Sequence, residues 1–293
     1  MMHEISEKAF AKVNLTLDVL RKREDGYHDI CTVMQTVSLH DDVLIRVGTK
    51  QEWRVLCDCA DDAPLPQNDG NLAWKAAKVF FEKTGIISDG IEITICKQIP
   101  SQAGLGGGSA DAAAVLRGLN RFYHDALSRS ELCELGFSVG ADVPFCVLCG
   151  TALAEGRGEV LTPLAPAPRM FLVICKPNFA ISTAQLYQKI DESVIEIRPD
   201  HNKLISLLSS GDYFKIGDSL CNVFEPLVCK DHAEIEQIKQ IMYKCNACGA
   251  QMTGSGSAVF GIFQTQEAAS SACESLKQVY CNTYFATTES KNG

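Results

Sequence analysis

The residues best suited to chemistry cluster in Pro100-Ser101-Gln102-Ala103-Gly104-Leu105-Gly106-Gly107-Gly108-Ser109-Ala110. Four glycines fall within five positions there. Glycine takes positive φ cheaply and lets another backbone or a ligand approach closely. Ser109 is a good N-cap, and Asp111-Ala-Ala-Ala-Val-Leu116 continues as a helix. Upstream, Ile91-Glu-Ile-Thr-Ile-Cys96 alternates as a strand does. Strand, glycine loop and helix start together predict an anion cradle, with loop amides turned inward and roughly half a positive charge at the helix N-terminus. The loop is not a Walker A loop, because no Lys-Ser/Thr follows the last glycine; nor is it a dinucleotide fingerprint, because position 109 is serine. A plain glycine-rich turn is the alternative. Four glycines, each costing about 0.5–1 kcal/mol, are more than a connection needs.

Other side chains could act on what the cradle holds. Residues 9–20 alternate, with Val13, Leu15, Leu17 and Val19 on one face and Lys12, Asn14, Thr16 and Asp18 on the other. Lys12 and Asn14 thus point the same way, and spacing leaves Lys12 as either a solvated charge or a functional cation. Asp142, in Gly140-Ala-Asp-Val-Pro144, is either a turn or cap residue or a carboxylate in apolar surroundings. Tyr27 and His28 follow an Asp25-Gly26 turn and suit either a half-buried hairpin or recognition of a flat ring. Phosphoryl transfer needs held phosphates, neutralised charge and a group to take the alcohol proton. The cradle could hold nucleotide phosphates and Ser109 could lend an oxygen to Mg²⁺. Asp142 could accept the proton, and Lys12 could stabilise developing charge.

The elements that must position these groups mix strands and helices without regular alternation, which predicts an α+β fold. Strands are expected at 9–20, 30–39, 41–47, 53–57, 91–96, 150–158, 170–175 and 284–288. Helices are expected at 71–83 (capped by Asn71), after the glycine loop to about 123, and at 128–135, 181–190 (capped by Ser182), 201–208, 233–243 and 267–279. A second glycine loop, Thr253-Gly254-Ser255-Gly256-Ser257, leads into another strand. Three prolines in Pro163–Pro168 mark a linker between domains spanning 1–162 and 169–293.

Composition bounds the function. The chain has 293 residues and a net charge of −9, without a dense basic stripe, so neither a nucleic-acid nor a membrane partner is expected. The N-terminus lacks the apolar core of a signal peptide, which predicts a cytoplasmic protein whose 14 cysteines stay reduced. Cys146-x-x-Cys149 and Cys245-x-x-Cys248 have metal-ligand spacing, leaving a structural zinc module as one rival reading. The expected partner is a small molecule, with the protein a monomer or weak homodimer.

The glycine loop also resembles the second motif of the GHMP kinases. Ala11-Lys-Val-Asn-Leu-Thr-Leu17 resembles their first motif, and Met252-Thr-Gly-Ser-Gly-Ser-Ala-Val-Phe260 is similar to their third. Asp25-Gly-Tyr-His-Asp-Ile30, Gly140-Ala-Asp-Val-Pro-Phe145 and Gly150-Thr-Ala-Leu-Ala-Glu-Gly-Arg-Gly158 resemble one branch of that family. That branch phosphorylates the 2-hydroxyl of 4-diphosphocytidyl-2-C-methyl-D-erythritol with ATP, in the methylerythritol phosphate route to isoprenoid precursors. The resemblance implies Asp142 as base and Lys12 as its electrostatic partner, with ATP and Mg²⁺ at Pro100–Ala110, Ser109 toward the metal, and Asn71 near the nucleotide. It implies substrate contacts from Asn14, Thr183, Gly254, Ser255 and Gly256. Tyr27 and Tyr187 would flank the cytosine and His28 would hydrogen-bond it. It also implies a ribosomal protein S5 domain 2-like N-terminal domain, a ferredoxin-like C-terminal domain, and an active site in the cleft between them. A homoserine- or mevalonate-type kinase and a non-catalytic nucleotide-binding protein stay open as alternatives.

Overall fold

The computed structural model describes residues 3–48, 53–59 and 66–290. In chain order the elements are β1 (His3–Lys22), β2 (His28–Val47), β3 (Arg54–Cys59), α1 (Leu72–Thr84), β4 (Ile91–Lys97), α2 (Gly107–Phe122), α3 (Arg129–Val139), α4 (Val143–Leu148), β5 (Thr151–Gly156), β6 (Val160–Pro163), β7 (Phe171–Cys175), α5 (Thr183–Asp191), α6 (His201–Ser210), α7 (Tyr213–Asp218), β8 (Cys221–Asn222), α8 (Glu225–Cys229), α9 (Glu234–Lys244), β9 (Gly249–Met252), β10 (Val259–Phe263), α10 (Gln266–Lys277) and β11 (Thr283–Thr287). The class is α+β. The strands expected at 30–39 and 41–47 are one 20-residue strand, β2. The buried Asp41 carboxylate on this strand accepts the backbone amides of Gln98 and Ile99.

Two compact units form, the first from Met1–Ala11, His40–Ser101 and Gly106–Cys149, the second from Lys12–Leu39, Gln102–Leu105 and Gly150–Gly293. In the first, the C-terminal half of β2 pairs antiparallel with β4 (Asp42↔Cys96 to Val47↔Ile91), and β3 runs parallel to β4. Val43, Ile45, Val55, Ile93 and Ile95 are buried, as are Phe80 of α1 and Val115 and Leu116 of α2. Each such side chain contributes about 1.5–3 kcal/mol of burial. The alanine run 112–114 is fully buried and keeps α2 slim enough to pack closely. Asn71 caps α1 as expected, accepting from the Ala73 amide at 2.9 Å. Ser128 and Glu131 form a reciprocal capping box on α3.

In the second unit the N-terminal half of β2 pairs antiparallel with β5, and β5 with β6. A four-stranded antiparallel sheet has the order β11-β7-β10-β9. Val173, Cys175, Val259 and Phe263 of this sheet share a core with Ile235, Ile238 and Met242 of α9 and Ala269, Ala272 and Leu276 of α10. The short elements α7, β8 and α8 carry too few residues for periodicity to reveal them.

Candidate active site

In the first unit, α2 starts earlier than Ser109 suggested. Its N-cap is Gly106, in the left-handed region at φ 71°, and no side chain caps it. The Gly106 carbonyl accepts the Ala110 amide at 2.8 Å, so Ser109 stands in the first turn. The amides of Gly107, Gly108 and Ser109 precede that first bond and form the positive end of the helix. Gly108, Gly140, Leu72 and Ser109 meet in one corner. A Cβ on Gly108 would lie 3.6 Å from Leu72 Cδ1, and one on Gly140 would lie 3.9 Å from both Leu72 Cδ1 and Ser109 Oγ. The loop, the Asn71 helix start and the Gly140–Asp142 turn are thus neighbours, though far apart in sequence. Asp142 occupies the N-cap position of α4 without spending its side chain on the cap. Asn71 uses both ends of its amide locally, accepting from Ala73 and donating to the Pro66 carbonyl at 3.0 Å.

Asp111 of α2 is buried, and its Oδ2 accepts from Lys97 Nζ at 2.7 Å. Burial pushes its carboxyl up to about 7, against the pull of Lys97.

In the second unit, the polar face of β1 is buried rather than solvated. Lys12 is 4 % exposed, and its Nζ donates to Asn14 Oδ1 at 2.7 Å. Asn14 Nδ2 donates to Thr32 Oγ1 at 2.8 Å, and the Asn14 amide donates to Thr253 Oγ1 at 3.0 Å. The Lys12 amide donates to the Leu105 carbonyl at 3.0 Å, and the Ala258 amide to the Ala103 carbonyl at 3.1 Å. The two glycine loops press together here. Gly104 has φ 74°, and a Cβ on it would collide with the Thr253 carbonyl oxygen; one on Gly254 would lie 3.0 Å from the Gly104 carbonyl oxygen and 3.5 Å from Asn14 Oδ1. Asn222 Nδ2 donates to the carbonyls of Met252 and Gly254 at 2.8 and 2.9 Å, holding the second loop in shape. Thr183 Oγ1 and Ser255 Oγ hydrogen-bond at 2.8 Å, tying the start of α5 to the same loop.

A second cluster surrounds the Tyr27-His28 pair. His28 stacks on Tyr187, centroids 4.7 Å apart and planes 27° apart, and its Nε2 meets Asp191 Oδ1 at 2.7 Å. Lys22 donates to the other oxygen of Asp191 at 2.7 Å. Those two hydrogen bonds, Lys22 first, hold Asp191 below the usual carboxylate range. Tyr27 is half exposed, and the Arg157 guanidinium lies 3.7 Å from its ring centroid. Tyr187 thus faces His28, while Tyr27 pairs with a cation from the Gly156-Arg157-Gly158 turn.

Residues 71–150 match the model of the GHMP kinases N terminal domain, and residues 204–281 that of the GHMP kinases C terminal domain. A protein of Caldicellulosiruptor saccharolyticus, named 4-diphosphocytidyl-2-C-methyl-D-erythritol kinase, is 45% identical over 97% of both chains. The chain belongs to the GHMP kinase family. A relative of the same name from Alkaliphilus oremlandii is 44% identical over 98% of this chain and 97% of its own. Among solved GHMP kinases, a 4-(cytidine 5'-diphospho)-2C-methyl-D-erythritol kinase is 30% identical, with a TM-score of 0.79, over 99% of this chain and 100% of the other. The homoserine kinase of Cytophaga hutchinsonii, 20% identical with a TM-score of 0.76 over 98% of this chain and 95% of its own, shares the fold.

Several residues that hold these segments in place carry no sequence signal of their own: Asn222, Asp191, Lys97 and Asp41. Each is an ordinary polar residue in the sequence and earns its place only through a partner distant in the chain. Among the described residues, no group of three or more His, Cys, Asp and Glu side chains could hold a metal ion. The Cys146-x-x-Cys149 pair is buried, with Cys149 Sγ turned to the Cys146 carbonyl at 3.1 Å, as in a packed core turn.

Proposed function

We propose that the protein transfers the γ-phosphoryl group of ATP to the 2-hydroxyl of 4-diphosphocytidyl-2-C-methyl-D-erythritol, in isoprenoid precursor biosynthesis. The observation that carries this reading is identity of 45% over 97% of both chains to a relative bearing that kinase name. The glycine loop and α2 receive the ATP phosphates through backbone amides, which is how a chain of net charge −9 concentrates positive potential locally. Asp142 takes the proton of the attacking hydroxyl while its oxygen bonds to the γ-phosphorus. The bond from that phosphorus to the β-phosphate oxygen breaks, and ADP leaves. Lys12, desolvated on β1, stabilises the charge spread over the transferred oxygens.

Ser109 fits a Mg²⁺ site because its hydroxyl does not cap α2, and Mg²⁺ commonly takes one or two protein oxygens together with nucleotide phosphates and water. When bound, the metal would neutralise phosphate charge. Asn14 positions the hydroxyl-bearing carbon, Thr183 and Gly254–Gly256 face the substrate phosphates, and Asn71 lies by the nucleotide. His28 reads the cytosine edge, with Tyr27 and Tyr187 as its aromatic neighbours. The chain is proposed to divide at Pro163–Pro168 into domains 1–162 and 169–293. It is proposed to work in the cytoplasm as a monomer or weak homodimer, without nucleic-acid or membrane partners.

The test is ADP release with the cytidyl alcohol beside homoserine, mevalonate and no acceptor. Turnover with the cytidyl alcohol alone is expected, and Asp142→Asn should lower kcat about 10²–10⁴-fold. Turnover of homoserine or mevalonate instead would move the assignment to another GHMP kinase type.

A further inference from the structure

Beneath the glycine loop, in the first unit, three charged side chains are sealed from solvent. Lys97, the last residue of β4, is 8 % exposed at its side chain, Asp41 of β2 is 0 %, and Asp111 of α2 is 4 %. Lys97 Nζ donates to Asp41 Oδ2 and, at 2.7 Å, to Asp111 Oδ2. Asp41 Oδ1 also accepts the amides of Gln98 at 2.5 Å and Ile99 at 2.8 Å. Asp111 Oδ1 is buried with no hydrogen-bond partner among the described residues. The ammonium lies close under the loop: a Cβ on Gly107 would sit 3.4 Å from Lys97 Nζ and 3.1 Å from Ile99 Cγ2.

Burying an ammonium between two carboxyl groups is a poor route to stability, because desolvating ions is costly and only partly offset by pairing. The geometry of the arrangement explains it better. Asp41 grips the chain where it leaves β4 toward the loop, and Lys97 grips Asp111 just after the chain enters α2. Every residue of the phosphate loop lies between these two attachments.

We propose that Lys97, Asp41 and Asp111 form a clamp that fixes the spacing between the entering and leaving legs of the phosphate loop, so that its amides are preorganised for ATP. The three are positioning residues and do not touch the nucleotide. Preorganisation of this kind raises affinity by removing an ordering cost at binding. The inference rests on reading the glycine loop as the ATP site, and it needs no particular acceptor.

The test is calorimetric titration of ATP, with no acceptor present, into wild type, Asp111→Ala and Asp111→Asn. Asp111→Ala cuts the link while leaving Lys97 paired with Asp41. It should weaken ATP binding about tenfold, equivalent to 1.4 kcal/mol, and raise KM for ATP with KM for the acceptor unchanged. Asp111→Asn keeps an oxygen acceptor for Lys97 and should restore affinity to within about twofold, since a shape-matched partner leaves the donor satisfied. Lys97→Arg offers a second route, because it keeps the charge and the pairs but re-spaces the legs; ATP affinity should fall while Tm holds. Wild-type affinity in Asp111→Ala would overturn the clamp, as would a loss that follows Tm and that Asn does not restore. A wild type that binds no ATP would instead sink the reading of the loop itself.

Discussion

Asp191 decides what His28 can offer a ligand. A carboxylate held low by Lys22 and His28 is an acceptor, so Nε2 of His28 must carry the hydrogen of their 2.7 Å contact. In the neutral imidazole Nδ1 is then an acceptor, which complements an exocyclic amino group such as that of cytosine. Asp191→Ala should therefore raise KM for the cytidyl substrate about 3–10-fold, the worth of roughly one hydrogen bond, and leave KM for ATP unchanged. Steady-state kinetics with each substrate varied in turn would check this, and equal changes in both constants would speak against it. His28 was legible beforehand because a Gly-Tyr-His turn is distinctive. Asp191 was not, because a lone aspartate at the end of a helix looks like any solvated residue. Lys12 shows the same limit: alternation fixed which way it points but not that its face is buried, since that depends on Thr32 and Thr253.

Strands and helices with long periodic patterns stood out, as did the caps Asn71 and Ser182. What the pattern could not show is where α2 begins, because the start is set by the backbone of Gly106 and not by the side chain of Ser109. Nor could it show that the two glycine loops pack together, since that contact joins segments about 150 residues apart. Gly104 carries the consequence. It sits at φ 74° with its would-be Cβ against the Thr253 carbonyl, whereas Gly85 sits at φ 69° with no atom of the described residues within 4 Å of its would-be Cβ. Gly85→Ala should cost about 1–2 kcal/mol, the left-handed penalty alone. Gly104→Ala adds a backbone collision and should cost roughly 3 kcal/mol or more, with weaker ATP binding besides. Urea denaturation of the two variants measures the contrast, and equal losses would mean that the loops part freely.

Stability of the whole molecule as pH changes sums shifts of both signs. Carboxylates such as the half-buried Asp29 and the exposed Asp191, held low by hydrogen bonds from basic side chains, favour the folded form above their unfolded values and lose that contribution in strong acid. Asp18 works the other way, since burial raises it despite Arg198 and His201. His201 titrates in a separate window. Its Nδ1 lies 2.9 Å from Thr16 Oγ1, its Nε2 is buried with no hydrogen-bond partner among the described residues, and burial lowers its affinity for a proton although Asp18, Asp200 and Glu155 pull the other way. With the folded value below the ordinary imidazole value of 6.5, the unfolded chain binds the proton more readily. Stability is therefore intact above about 6.5 and is lost as pH falls toward the folded value. His201→Gln keeps a partner for Thr16 and removes this titration. Thermal melts of both proteins between pH 8 and 5 should run parallel above pH 7 and diverge below about 6.5, with the wild type falling faster. Taking the difference cancels the carboxylates common to both. Curves that stay parallel down to pH 5 would mean that His201 takes up its proton in the folded protein as easily as in the unfolded chain.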